Sequence, residues 1–538
     1  MRKLALVAAA AILLLQVLAV VGLAGRPLHY DENEYMHASW MMAAGKRIYR
    51  DFFEDHPPHF GLFLHSVIPG GDLRAIDVHQ WTVRARVLSG VFGALAVAAV
   101  MLYAWRMTRA PAAPLVAGAT LLASPQIWAR GLADIRAEAP TLALFWVGVV
   151  LLTWDVRTTV AQSLRAGAGI GLIFFANVWN PKWPLEAVLL GLYYLWWCWW
   201  VFRSRSPAER SVARWAMLAA SVVPATIIAI VALLPLVTIT TPADYVFFNL
   251  RLKSEVVGEF TSNPWIVNFF ERVPVWNSAS PQHRWWWIVM AMALVAIAMR
   301  VWKPAEPRLV WVALALCGSS LLEFRFIYPY PYLWAQYLVM IACSAALVYA
   351  LVAALLPQRV QIVVLAAATL FAAVPLQRKA FTERPASWER YWDAQRALQT
   401  SLGPGDTVWI SPPRHPVAAF DASYYWYNFR ESTPAAIRAA SRHPEFLPPL
   451  RFADLPPCHL RARYVEVGDW MPFLDNVCGC AQRAFNEGRL AATPSLGIFE
   501  VDGPARNEPW LQRTRGLWSD LCRRQEVFLR GGQLNITP

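Results

Sequence analysis

The sequence predicts a polytopic α-helical membrane protein, with about eleven transmembrane helices over residues 1–375 and a soluble α/β domain over residues 376–538. Three observations predict it. Of the 538 residues 57% are hydrophobic and only 16% are charged, against about 25% charged in a typical soluble protein. The apolar residues gather in runs of bilayer-spanning length. Arginines cluster in the short gaps between those runs in a positive-inside pattern, and 28 tryptophans and 17 tyrosines suit a chain with many segment ends at the membrane interface. A net charge of +13 would otherwise suggest nucleic acid. The placement of the arginines assigns that charge to topology, so no nucleic-acid partner is expected.

Residues 1–24 have a basic start and an apolar run of about twenty residues. A cleaved signal peptide has an apolar core of about 7–15 residues, so the run reads as an uncleaved membrane helix. Either reading puts the next stretch outside the cytoplasm. Residues 25–82 form this first outer loop. Within it EYMHASWMMAAG is amphipathic and stops at Gly45, while HPPHFGLFLHSVIPG opens on two prolines. Two short helices lying in the interface are predicted.

Further apolar runs follow at 84–105, 112–129, 139–154, 167–179, 184–202, 214–239, 285–302, 308–322, 333–355 and 359–375. With this count Arg2, Arg106, Arg109, Arg157, Arg165, Arg203, Arg205, Arg210, Arg300, Arg308 and Arg359 fall on one side. The outer side receives the first loop, the turns 130–138, 180–183 and 323–331, the loop 240–284 and everything after 376. That last part is charged and proline-rich, with short alternating runs such as DTVWI and RYVEV that read as strands. No repeat of fixed period is present.

The seven cysteines divide by setting. Cys198, Cys317 and Cys343 lie in apolar runs, where a thiol is a small hydrophobe. Cys458, Cys478, Cys480 and Cys522 share the polar C-terminal part and suggest two disulfides in an oxidising compartment. Zinc on the Cys478-x-Cys480 pair is the other reading, although no histidine stands at ligand spacing.

Chemistry concentrates in the first loop. Asp31-Glu32 follow the first helix directly, and such acids mark either a solvated loop or a site. Glu138 opens the fourth apolar run, with Asp134 and Arg136 just before it. It is either a carboxylate favoured by the helix dipole or a partner for Asp31 at the outer leaflet, one acid acting as base and the other orienting. Asp55-His56-Pro57-Pro58 is a second cluster. His56 is placed to pair with a phosphate, with the prolines fixing the turn, or it is an interfacial histidine bonded to backbone. A divalent metal on Asp55, His56 and His59 stays open, though the spacing matches no standard site, and no cofactor is otherwise called for. Lys182 either makes an i,i+4 ion pair with Glu186 or holds a lipid phosphate as a point charge. In LLEFRFIYPYPYLWAQY, Arg325 suits bidentate phosphate contact, and Tyr328, Tyr330 and Gln336 suit a sugar or an interfacial aromatic belt.

With these residues laid out, the chain resembles the GT-C superfamily of membrane glycosyltransferases. The closer likeness is to the bacterial branch related to protein O-mannosyltransferases and the lipid A aminoarabinose transferase. The pattern is YDENEYMHASWMMAAGKRIYRDFFEDHPP, similar to that branch's first loop, with Glu138 and the late aromatic-proline turn in support. The resemblance covers residues 1–350. It implies transfer of a sugar from a polyprenyl-phosphate donor, with inversion, to a lipopolysaccharide, glycolipid or protein acceptor at the periplasmic face of a bacterial inner membrane. It implies Asp31 as general base supported by Glu32, Tyr35 among the substrate contacts, and a C-terminal domain that positions the acceptor. Where that family has a phosphate-contacting lysine before its two prolines, this chain has His56, preceded by Asp55. Imidazole loses its charge near neutrality, so phosphate falls to His56 or to Lys182. Donor transfer needs no nucleotide, in keeping with the absence of a Gly-rich phosphate loop.

Two other functions are weighed. A transporter or flippase for a lipid-linked sugar also carries intramembrane ionisable groups, but predicts internal repeats and charges at the midplane. A structural or assembly protein gives no reason for Asp31, Asp55 and Glu138 to converge.

Overall fold

The computed structural model describes residues 2–52, 54, 56–123, 128–154, 159–203, 212–251, 282–299, 304–326, 339–357, 359–361, 363, 367, 387–401, 407–409, 415–417, 419–420, 464–466, 490–492 and 498–501. The chain divides into two units. One comprises Met1–Gly25, Val83–Thr238 and Val267–Glu383; the other comprises Arg26–Thr82, Ile239–Ile266 and Arg384–Pro538. The four C-terminal cysteines lie outside the described residues, whereas Cys198, Cys317 and Cys343 are free thiols in helices.

Fourteen helices of the described residues, in chain order, are α1 (Arg2–Leu23), α2 (Tyr30–Ala43), α3 (Pro58–His65), α4 (Val78–Thr108), α5 (Ala112–Ala123), α6 (Glu138–Leu152), α7 (Val160–Trp179), α8 (Pro184–Arg203), α9 (Val212–Thr238), α10 (Pro242–Val246), α11 (Gln282–Ala298), α12 (Pro307–Phe326), α13 (Val339–Leu355) and α14 (Ser387–Ser401). Single π-helical turns, Ala129–Ala133 and Phe247–Arg251, precede α6 and follow α10.

The first unit is helical and built for lipid. Leu6–Leu23, Val78–Thr108 and Trp215–Thr238 are each long and apolar enough to cross a membrane, and four further described helices are apolar but shorter. On α9, Val223, Ile227, Ile230 and Leu234 form an exposed stripe; water penalises such a stripe and hydrocarbon does not. Two helices begin earlier than their apolar runs. The Asp77 carboxylate accepts from Gln80 N at 2.9 Å before α4, and the Thr159 hydroxyl accepts from Gln162 N at 3.2 Å before α7. Polar caps of this kind extend a helix beyond its apolar stretch.

Packing in this unit relies on close backbone approach. Helix α7 lies against α6 and α9, and α13 lies against α5, α11 and α12. The AGAGIG run of α7 shows why. A Cβ on Gly169 would meet the Gly148 carbonyl of α6 at 2.6 Å, and one on Gly167 would strike the Ser221 carbonyl of α9. Small residues at both contacts allow one helix to be gripped from two sides.

Arginines close the far end of α6. Arg106 is buried at the end of α4 and donates to the carbonyls of Val150, Thr153 and Trp154, the acceptors a helix C-terminus leaves open. Arg308 reaches the Thr153 carbonyl at 3.5 Å, and the Arg106 and Arg165 guanidinia lie over the Trp154 ring. These three arginines gather at one place. Glu138, at the other end of α6, is about 22 Å away along the helix at 1.5 Å per residue.

The second unit joins α2 and α3 to a mixed five-stranded sheet, with strands β1 (Thr407–Trp409), β2 (Ala419–Phe420), β3 (Tyr464–Glu466), β4 (Leu490–Ala492) and β5 (Ile498–Val501) in the order β2-β1-β3-β5-β4. The β1 pairings with β2 and β3 are parallel; β5 is antiparallel to β3 and β4. Of two buried histidines here, His37 ties α2 to this part and His415 ties its turn to α14. His37 Nδ1 lies 3.1 Å from the Pro416 carbonyl. Val417 N donates to His415 Nδ1, so His415 Nε2 carries the proton given to the Gln395 carbonyl. Gln399 of α14 donates to the carbonyls of Arg74 and Ile76.

Two sets of measurements check this packing. Gly167→Val and Gly169→Val should each destabilise the protein by about 1–3 kcal/mol or more by overpacking. Gly191→Ala, where an added Cβ meets nothing within 4 Å, should be neutral or stabilising by up to about 1 kcal/mol; melts in detergent distinguish them. The histidine joint should be acid-labile. Burial lowers the His37 pKa to about 3, against a backbone hydrogen bond to Pro416 that raises it, and burial lowers His415 to about 4. Both folded values lie below the ordinary value of 6.5, so the unfolded chain takes up protons first. The stabilisation is complete above about pH 6.5 and is lost as pH falls toward 4, by on the order of 2 kcal/mol per histidine at pH 5. Melting midpoints from pH 7.5 to 5 should fall accordingly, and His415→Gln should flatten the slope.

Candidate functional site

Two clusters carry the residues singled out by the sequence, one in each unit. In the first unit the chain leaves the π-helical turn Ala129–Ala133 through a buried bend and enters α6 at Glu138. Such turns recur at functional sites. Here the tight approach of Gly93 to the Leu132 carbonyl fixes the bend.

Glu138 is fully buried, and Arg136 Nε donates to its Oε2 at 3.3 Å. Lys182, in the turn between α7 and α8, donates through Nζ to Oε1 of the same carboxylate. Glu138 is therefore a counter-ion held between two cations. Of the two readings of Lys182, the helix-end ion pair with Glu186 is not the contact it makes. Lys182 N is bonded to the Asn180 carbonyl at 2.7 Å, which turns the side chain toward α6.

Glu186 belongs to another group. Its Oε1 accepts from Ser320 Oγ at 2.6 Å; Ser320 lies 3.3 Å from Ser344 Oγ; and Glu323 Oε1 accepts from Leu185 N at 3.4 Å. Sequence reasoning missed this group, since its members are spread over α8, α12 and α13. Arg325 lies within α12, and its side chain is outside the described residues, as are Tyr328, Tyr330 and Gln336.

In the second unit, α2 follows six residues after α1 and is started by a reciprocal cap. His29 Nδ1 accepts from Asp31 N at 3.4 Å, and the Glu32 carboxylate accepts from His29 N at 2.9 Å. The Asp31 carboxylate is 3.9 Å from His29 Nδ1, with 15% of its side chain exposed. Glu32, fully buried, serves the cap. The two adjacent acids thus divide their work, one closing the helix and the other reaching the surface.

Tyr35, one turn on, is buried with its ring 4.7 Å from the His56 ring and 4.8 Å from Phe60. His56 is held from several sides. Glu54 Oε1 accepts from His56 N at 3.0 Å and lies 2.6 Å from its Nδ1. Tyr49 donates its hydroxyl proton to the His56 carbonyl at 2.7 Å, and the same hydroxyl accepts from Asn249 Nδ2 at 2.7 Å. The Tyr49 ring stacks on Phe248 at 4.8 Å, although its backbone sits in the left-handed region at φ 69°. Arg50 pairs in two-pronged fashion with the buried Asp244. Pro57 and Pro58 then start α3.

Asp55 lies outside the described residues, and His59 is buried within α3. Among the described residues, the three side chains with metal-ligating atoms close together are Glu34, Glu54 and His56, within 4.8 Å of one another. Of the expected set Asp55, His56 and His59, His56 belongs to this cluster and His59 does not, while Asp55 is outside the described residues. The signal in the sequence is EDHPP, where Glu54 stands beside Asp55.

No family model matches the sequence, and no curated protein matches it. Among solved structures the chain is similar to the crystal structure of ArnT from Cupriavidus metallidurans bound to undecaprenyl phosphate. The match covers 84% of this chain and 81% of that one, at 16% identity and a TM-score of 0.38. It is also similar to the oligosaccharyltransferase of Archaeoglobus fulgidus in the apo form, over 86% of this chain and 70% of that one, at 11% identity and a TM-score of 0.41. The complex of the same enzyme with Zn and sulfate matches over 89% and 71%, at 11% identity and a TM-score of 0.40. The likeness concerns the path of the backbone and assigns no role to any residue.

Proposed function

We propose that this chain is a polytopic membrane glycosyltransferase that moves a sugar from a polyprenyl-phosphate donor to a lipopolysaccharide, glycolipid or protein acceptor at the outer face of a bacterial inner membrane. The observation that carries the reading is Asp31. It is a partly exposed carboxylate on the first turn of a helix that starts just beyond a membrane-length segment, and its buried neighbour Glu32 is committed to capping. The first-loop pattern and the apolar character of the chain support the same reading.

In this reaction the acceptor hydroxyl attacks the anomeric carbon as the bond to the phosphate oxygen breaks, and the configuration inverts. The hydroxyl proton goes to Asp31, since an alcohol far above neutral pKa needs a positioned base. The departing polyprenyl phosphate gains charge and needs cations already in place. Lys182 and Arg136 offer two, with Glu138 between them as the counter-ion that aims them. His56, in the second unit, is the alternative group for the phosphate, aimed by Glu54 and by the Tyr49 tie to its carbonyl. Asp55, Arg325, Tyr328, Tyr330 and Gln336 keep the donor- and sugar-contacting roles assigned from the sequence pattern, and Tyr35 backs the His56 ring.

Asp31→Asn should lower transfer from a polyprenyl-phosphate sugar by about 10²–10⁴-fold with an unchanged melting midpoint, followed by mass spectrometry of donor and product. Undiminished turnover would remove the proposed base, and a sugar that stays on its carrier in the wild type would favour a flippase. Donor affinity measured separately in Lys182→Ala and His56→Ala should fall most in whichever residue holds the phosphate.

A further inference from the structure

The second unit holds a group of side chains of which the transfer chemistry uses only His56, with Glu54 aiming it. Glu34 projects from α2, and Glu54 and His56 come from the turn that precedes α3. Each offers one ligating atom, and the three atoms lie within 4.8 Å of one another. Two carboxylates at this separation repel unless a positive charge sits among them. His56 Nδ1 and Glu54 Oε1 are 2.6 Å apart, a charge-assisted hydrogen bond when the imidazole is protonated. An ion in that place would provide the same positive charge to both carboxylates.

The surroundings suit a fixed ligand set. Glu54 is 2% exposed, and His56 is 23% exposed, so one ligand is anchored inside while one side stays open to solvent or substrate. The His56 carbonyl is held by the Tyr49 hydroxyl, which is itself held by Asn249, and Tyr35 packs on the ring. Ligands gain affinity when outer groups orient them in this way.

We propose that Glu34, Glu54 and His56 bind one divalent transition-metal ion, Zn²⁺ or Mn²⁺. The imidazole and the small ligand number favour these over Ca²⁺, which takes six to eight oxygens, and over Mg²⁺, which keeps its waters. Metal–ligand lengths of about 2.0–2.2 Å require the side chains to close around the ion from their present separation of up to 4.8 Å. Three protein ligands leave coordination positions free for water or an anionic oxygen. Use of the ion on the donor phosphate, where it would replace the charge an imidazolium would offer, rests on the transferase reading above; the ion site itself does not.

The test uses the full-length protein in detergent, stripped with chelator and titrated with ZnCl₂ and separately with MnCl₂, followed by calorimetry and by melting. One ion per chain with a rise in melting midpoint is expected. Glu34→Gln and His56→Ala should each weaken uptake by at least about tenfold. Glu34 stands half-buried on a helix surface, so its variant keeps the test interpretable if His56→Ala folds poorly. No uptake by the wild type, or equal uptake in Glu34→Gln, overturns the proposal. Neither donor nor acceptor is present, so that failure leaves the transferase reading intact. Loss of transfer in Asp31→Asn would likewise leave ion uptake unchanged.

Discussion

A carboxylate removed from water must meet a cation or a donor before the chain can close over it, and the fully buried Glu138 is where that constraint bears hardest. Breaking a buried ion pair by deleting one partner costs about 3–5 kcal/mol, a large fraction of a typical folding free energy. Arg136 from the bend before α6 and Lys182 from the turn after α7 must therefore arrive together. That fixes the register of the α6–α7 hairpin at one end. The guanidinium of Arg106 fixes it at the other by taking up the last carbonyls of α6. Between the two, glycines let the helices approach so closely that no slack remains for the ends to drift.

The second unit solves the same problem with neutral groups. His37 and His415 are buried on backbone hydrogen bonds, each in the tautomer those partners dictate, and α2 is started by a cap that uses two side chains reciprocally. Helix α2 is thereby a rigid carrier. It presents Asp31 at its head, Glu34 and Tyr35 on its next turn, and His37 toward the strand-bearing part. One short helix thus links the proposed base, the candidate ion site and the C-terminal elements.

Much of this was legible in the sequence. The apolar runs coincide with most of the described helices of the first unit because hydrophobic patterning is the strongest local signal, and the first loop announced itself through its acids, histidines and prolines. Helix starts at Val78 and Val160 were missed because caps, not apolar residues, set them. The partners of Lys182 were not legible either. A four-residue spacing to Glu186 was visible, but Glu138 is 44 positions away, and only the α6–α7 turnaround brings it near. The Glu34–Glu54–His56 group had the same difficulty, since helical phase and a turn of irregular backbone combine to assemble it. The group formed by Glu186, Ser320, Ser344 and Glu323 joins three helices and left no local trace.

Tyr49 is a tyrosine in a backbone conformation that ordinarily favours glycine, at φ 69°, with a strain of roughly 1–2 kcal/mol. Its ring and hydroxyl are what the position supplies: a stacked face for Phe248 and a proton for the His56 carbonyl. The usual remedy for a left-handed residue, replacement by glycine, would relax the main chain here while untethering the histidine turn. At this position the sequence trades local comfort for a brace, and a stabilisation strategy guided by backbone angles alone would choose the wrong residue.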